Sequence, residues 1–141
     1  MGGHYIELVS GNRTCPIEWQ SVRIKRTPKS TLAAETLAMV EAIESAYLVS
    51  KLLSEILFND MKTVPIEAIT DNLSLFESAH GTTNGKDRRL RIEMSILREG
   101  LKRQEYSLKW TQSGNQLADC LTKRDADPRK FLTHITGKLI K

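Results

Sequence analysis

Glu35, Asp71 and Asp119 are the side chains of this sequence best placed to do chemistry, because each stands where a core element begins or ends. Glu35 lies in 30-STLAAETLAM-39, among alanines, leucines and a methionine. Wound at about 100° per residue from Leu32, the segment gathers Leu32, Met39, Ile43, Ala46, Leu53 and Leu57 into one apolar sector, with Glu41, Glu44, Lys51 and Glu55 opposite. Glu35 alone among the charged residues falls in the apolar sector, beside Met39 and Ala42. A capping box would need Ser or Thr where Leu32 stands, which removes that explanation; attraction to the positive end of the helix dipole and fraying of the helix end both stay open. An unpaired buried carboxylate is costly, so Glu35 should have a cation or a hydrogen-bond donor beside it.

Asp71 follows the apolar run 64-VPIEAIT-70, at the carboxyl end of a strand, where α/β sheets build their sites. It would serve equally well as the N-cap of a helix over 72–80. Asp119, in NQLADCLTK, falls in the first turn or two of a helix starting near Asn115, where the dipole also favours an acid. Three acids at the ends of core elements could converge on divalent cations. Hard cations such as Mg²⁺ take oxygen ligands, and mutual repulsion makes such a cluster uncomfortable without them.

The elements that must position these acids follow from periodicity and breakers. HYIELVS (4–10) and TCPIEWQ (14–20), joined through Gly11-Asn12, read as an antiparallel hairpin, and VRIKRTPK (22–29) extends its second strand or adds a third. Ser30 or Thr31 caps a long helix to about Phe58, uninterrupted by Gly or Pro. Pro65 opens a buried strand over 66–70, a short helix covers 72–80, and 80–87 is a polar loop with two glycines. A basic amphipathic helix covers 88–104, with Gly100 its weak point, and YSLKWTQ (106–112) alternates as a strand. Asn115 opens a last helix, and Asp127-Pro128 divides it from a C-terminal one. The fold class expected is α/β, one domain over 1–141, with a mixed sheet, antiparallel in its first strands and then parallel, flanked by helices.

Composition bounds the function classes. The 141 residues are 40% hydrophobic and 27% charged with a formal charge of +4, which permits a polyanionic partner without demanding one. Cys15 and Cys120 form no CxxC pair, so neither a disulfide framework nor a zinc site is expected. No apolar run approaches the roughly 20 residues of a membrane span, and MGGHYIELVSG has no secretory pattern, so an intracellular chain with no membrane partner is expected. Arg88, Arg89, Arg91, Arg98, Lys102 and Arg103 could track phosphates, with Lys25, Arg26 and Lys29 as a second contact; a solvated helix face accounts for Arg98 and beyond. Asn72 and Asn115 could bind an RNA 2′-hydroxyl, although each is also a good N-cap. Trp19 and Trp110 read as core, and His4, His80 and His134 as surface.

Five blocks, CPIEWQS, STLAAETLA, ITDNLSL, RRLRIEMSILRE and QLADCLTK, stand in the order found in a known family. In this the chain resembles the RNase H domain of Ty1/copia-type retrotransposon polyproteins, over nearly its whole length. The resemblance implies an RNase H-like fold and hydrolysis of the RNA strand of RNA–DNA hybrids by acids holding two Mg²⁺ ions, or Mn²⁺. It implies further that Asp71 bridges or holds the water-side metal, Asp119 helps hold that metal and Glu35 serves the leaving-group metal. An acid order with glutamate first favours an RNase H over an integrase. The expected partners are the hybrid and a reverse transcriptase region of the same polyprotein, in cytoplasm, nucleus or a retroelement particle, with the domain itself monomeric.

The chain departs from the family pattern at its start. GGHYIELVSG matches the family's second strand, so a first strand carrying another metal-binding aspartate is expected to be missing, and the chain reads as N-terminally truncated relative to the family. No acid precedes Glu7, and no histidine stands in the loop before Asp119. The catalytic set is three of four. The alternative is therefore a non-catalytic nucleic-acid-binding remnant.

Overall fold

The computed structural model describes residues 2–22, 30–82, 87–123 and 125–136. The hairpin forms as the sequence predicts. Strand β1 (Gly2–Ser10) pairs antiparallel with β2 (Arg13–Val22), and Gly11 takes the left-handed φ of 57° that a glycine-first two-residue turn uses. Ile6 pairs with Glu18 but Glu7 with Pro16, so Ile17 is extra on β2. The bulge falls beside Pro16, which has no N–H to give the ladder. The expected continuation of β2 over 22–29 and the phosphate-contact candidates Lys25, Arg26 and Lys29 lie outside the described residues.

Helix α1 (Thr31–Phe58) is capped by the Ser30 hydroxyl, which accepts from Ala33 N at 3.1 Å. It ends at Asn59, in the left-handed region at φ 50°. Strand β3 (Glu67–Thr70) pairs parallel with β4 (Ser107–Trp110). Between them lie α2 (Leu73–His80) and α3 (Arg88–Lys102), and after them α4 (Asp119–Thr122) and α5 (Arg129–Thr136). The result is a mixed α/β arrangement, a small antiparallel sheet and a parallel pair flanked by helices.

The single mixed sheet expected from the sequence is divided in two among the described residues. The carbonyls of Ile66 and Thr70 accept from Ser107 N and Thr111 N, so alternation turns the main-chain groups of Glu67 and Ile69 away from β4. No strand meets that edge among the described residues. The two pairs are joined instead through α1, which packs on both β1 and β3.

Val40, Leu75, Ala79, Met94, Leu97, Tyr106 and Leu108 form the core between α1, α2, α3 and the β3–β4 pair. Gly100 is a packing position there and no weak point: a Cβ would stand 2.8 Å from Tyr106 Cζ. The Tyr106 hydroxyl donates to Leu97 O at 2.8 Å, and burial pushes its pKa up to about 12. The inward face of α1 follows the sector read off the sequence at Leu32, Met39 and Ile43, which pack on the core, and departs from it elsewhere. Its buried residues are Thr36, Val40, Ser50 and Ser54, while Leu57 is 55% exposed. Hydroxyls can line a core because a Ser or Thr in a helix can bond the carbonyl four residues back, as Thr36 does to Leu32 O (2.7 Å) and Ser54 to Ser50 O (2.7 Å).

Three further expectations are corrected. Trp19 and Trp110 are both exposed, and His4 is buried, with Nε2 2.8 Å from Glu18 Oε1. On the other side of the hairpin α5 docks through Phe131, edge-on to Tyr5, and through His134, 2.6 Å from Glu7 Oε2. Among the described residues no helix is long and apolar enough to cross a membrane.

Candidate active site

Three elements bring the acids to one place. Glu35 sits in the second turn of α1, since the helix starts at Thr31 and has no acid in its first turn. The dipole falls off within that first turn, which leaves Glu35 without the ordinary explanation for an acid at a helix start. Asp71 comes immediately after β3. The α2 cap that would have explained it is made by Asn72, whose Oδ1 accepts from Leu75 N at 3.0 Å. The backbone carbonyl of Asp71 accepts from the Trp110 indole (3.1 Å), so β4 fixes the main chain while the carboxylate is left for other partners.

Asp119 opens α4, as an acid in its first turn. The long helix expected from Asn115 is absent. Ser113–Asn115 is a 3₁₀ turn, and α4 is a single turn with Ala118 at its N-cap, so Asn115 caps nothing and is exposed. Tertiary contacts override the local helix preference here. The Gln116 side-chain amide donates to Ile69 O (3.3 Å) on the open edge of β3, and the Ser21 hydroxyl donates to Leu121 O. Gly3 lets α4 come close to β1, because a Cβ there would meet the Thr122 methyl at 2.7 Å.

Asp71 and Asp119 meet at Lys123, and Glu35 lies within reach of their charges. The Lys123 Nζ is 2.7 Å from Asp119 Oδ2 and 3.9 Å from Asp71 Oδ2, with the Asp71 and Asp119 side chains 19% and 22% exposed. Burial raises the Glu35 pKa above its ordinary value; repulsion from Asp71 adds to this, Lys123 works against it, and Asp119 adds a further rise. The Lys123 pKa is raised in turn, first by its hydrogen bond to Asp119 and then by the other acids. Sequence reasoning assigned Lys123 no role, although its position four residues after Asp119 in one helical turn was the signal that could have found it.

These oxygens are hard donors set around a cation, which fits a divalent ion in kind. Among the described residues, however, no group of three His, Cys, Asp or Glu side chains is gathered closely enough to hold a metal as it stands. The cation between Asp71 and Asp119 is the Lys123 ammonium. Glu7 is committed elsewhere, accepting from the Tyr5 hydroxyl (3.0 Å) and pairing with His134.

The basic residues stand apart from this cluster in their bonding. Arg88 and Arg89 are exposed in the first turn of α3 and make no ion pair among the described residues. With Arg91 and Arg103, Arg88 lines a groove floored by Ile92 and Ile96. Arg98 is part-buried and donates twice to Ser78 O (3.1 and 2.8 Å), unlike the solvated face expected from there onward, whereas Arg103 is exposed and pairs with Glu99 (2.8 Å). Compared with known proteins, the chain matches no family model, no curated protein and no solved structure.

Proposed function

We propose that the chain is an RNase H-type endonuclease domain of retroelement origin, acting on the RNA strand of RNA–DNA hybrids with Mg²⁺ or Mn²⁺. One observation carries this reading: Asp71 and Asp119, from separate elements, share the Lys123 ammonium at the carboxyl end of β3, and Glu35 of a third element lies near enough to feel all three charges. The element order, an antiparallel hairpin and then a parallel pair with helices around them, is compatible with an RNase H-like fold. A further strand, the position from which the fourth acid of the resemblance would come, would fit the edge of β3 at Glu67 and would displace the Gln116 amide from Ile69 O.

On this reading Asp71, Asp119 and Glu35 would be the residues that hold divalent cation. Such ions would activate the attacking water and steady the charge developing on the leaving 3′-oxygen. Lys123 yields its position between the aspartates and stays near as a positive charge for the scissile phosphate. Its side chain is 57% exposed and attached through a flexible stem, so it can swing outward. Burial and repulsion from Asp71 raise the Glu35 pKa, and a divalent ion beside it would oppose that rise. Arg88 and Arg89, free of internal ion pairs, are available to phosphates farther along the duplex. Asn72 keeps its side-chain oxygen on the α2 cap and has only its amide N–H₂ to offer a 2′-hydroxyl. Any covalently attached reverse transcriptase region belongs to the same proposal.

The direct Lys123–Asp119 bond and the lack of a ready group of three metal ligands favour a second reading, a nucleic-acid-binding module without catalysis. One assay separates the two. The chain is incubated with labelled RNA–DNA hybrid and Mg²⁺ beside Glu35→Gln and Asp71→Asn controls. Cleavage lost in both controls supports the nuclease. Salt-sensitive hybrid binding without cleavage supports the module, and cleavage that persists in the controls removes the proposed site.

A further inference from the structure

The outer face of α1 carries an apolar stripe that the acid site does not use. Leu48, Leu52 and Ile56 are 63%, 49% and 76% exposed, although the same helix buries Ser50 and Ser54 on its inner side. Residues four apart advance about 40° around a helix, so these three form one continuous ridge of the kind that packs into the grooves of another helix. Monomeric soluble proteins seldom leave such a run uncovered.

We propose that this ridge is covered by a second copy of the chain, with the two α1 helices antiparallel and Leu52 on the two-fold axis. Leu48 of one copy then lies against Ile56 of the other, twice. The charges beside the ridge select this partner. Glu44, Lys51 and Glu55 share one flank of the helix, where the Lys51 ammonium is held 5.7 Å from the centre of the Tyr47 ring. Glu44 and Glu55 make no ion pair among the described residues. In an antiparallel two-fold pair each flank faces its own copy. Lys51, one residue before the axis, comes within about 3 Å along the helix of Glu55 of the second copy, three residues after it, a gap their long side chains span. Both pairs stay close to the centre, where they meet even if the helices cross obliquely. A two-fold contact demands such self-complementarity of a single surface, and a dissimilar partner does not. The dimer replaces the monomer expected from the sequence and is independent of the nuclease reading.

Sedimentation of the full chain from about 1 µM to about 100 µM tests it. The expected result is a reversible species of twice the 15.9 kDa chain mass. Leu52→Glu, at a half-exposed position, should leave circular dichroism and melting unchanged while raising the dimer dissociation constant about a hundredfold, because the axis would bury two carboxylates. Lys51→Glu and Glu55→Lys should each weaken the dimer about tenfold, and the double swap should return it to within about threefold of wild type. If Leu52→Glu disturbs folding, the swap series decides. A chain that stays monomeric throughout leaves the ridge to some other protein and overturns the proposal. So does a dimer that a folded Leu52→Glu leaves intact, or a swap that fails to rescue.

Discussion

Helix α1 buries polar side chains along its length; Thr36 near its start and Ser50 and Ser54 farther on are all hydrogen-bonded, whereas Glu35 faces groups that repel it. In the distal half Ser50 donates to Val64 O (2.5 Å), while Ser54 donates to Ser50 O and accepts from Val64 N (3.0 Å). Both buried hydroxyls there have partners, and together they pin the loop before β3 to the helix. In the proximal half Glu35 is half-buried and repelled by Asp71 and Asp119, with Lys123 to offset the three acids. A satisfied network stabilises the fold, whereas a repelling one persists only where something other than stability holds it in place. The same helix thus serves as scaffold at one end and as site at the other.

Removing a polar group from each half should therefore have opposite consequences, and the largest effect belongs to the acid end. Asp71→Asn should lower cleavage of an RNA–DNA hybrid about a thousandfold or more, since metal-held charge contributes several kcal/mol to such reactions. Its melting temperature in metal-free buffer should be equal to wild type or higher, because a carboxylate repelling Glu35 has gone. A variant that loses activity and stability together would place Asp71 with the scaffold instead. Next in size, Ser54→Val should leave the buried Val64 N–H without its acceptor and cost about 1–3 kcal/mol in urea unfolding. Activity per folded molecule should be unaffected, and a marked loss there would erase the distinction between the two halves.

Much of the scaffold half was legible because its signals are local. The glycine-first turn, the Ser30 cap, the end of α1 at Phe58 and the Asn72 cap each depend on a few neighbouring residues. Beyond Ile43 the inward face of α1 was misread because winding counts apolar residues, and a serine that bonds its own backbone is invisible to that count. At the acid end the types and order of Glu35, Asp71 and Asp119 were readable, but the meeting of the two aspartates at Lys123 was not. That meeting depends on α4 being only one turn long, held by Gln116 on β3 and by Ser21 and Gly3 on the hairpin. Contacts between residues 47 and 100 positions apart leave no periodicity to read.

Lys123→Gln sharpens the comparison at a smaller scale. The ammonium is more than half exposed, so its loss should cost no more than about 1 kcal/mol at low salt, and less as salt rises. Added Mg²⁺ should then raise the melting temperature of the variant more than that of wild type, because the divalent ion no longer displaces an ammonium. Equal Mg²⁺ shifts in the two proteins would mean that the aspartates do not bind it.

The smallest effect is a matter of pH. Burial, and then Asp71, hold the Glu35 pKa above its ordinary 4.5 in the folded chain. The folded state therefore keeps a proton that the unfolded state has already lost. Its stabilising contribution is complete below the ordinary value and disappears as pH rises through the raised one. The amide introduced by Glu35→Gln cannot titrate, so the variant should match the protonated wild type near pH 4 and exceed it increasingly toward neutrality, with the difference levelling once Glu35 is fully ionised. Melting both proteins from about pH 4 to about pH 7.5 gives that difference directly, and contributions common to both cancel. A difference that is flat, or that grows toward acid, would mean that Glu35 has a favourable partner in the fold and belongs with Ser50 and Ser54 as a satisfied group.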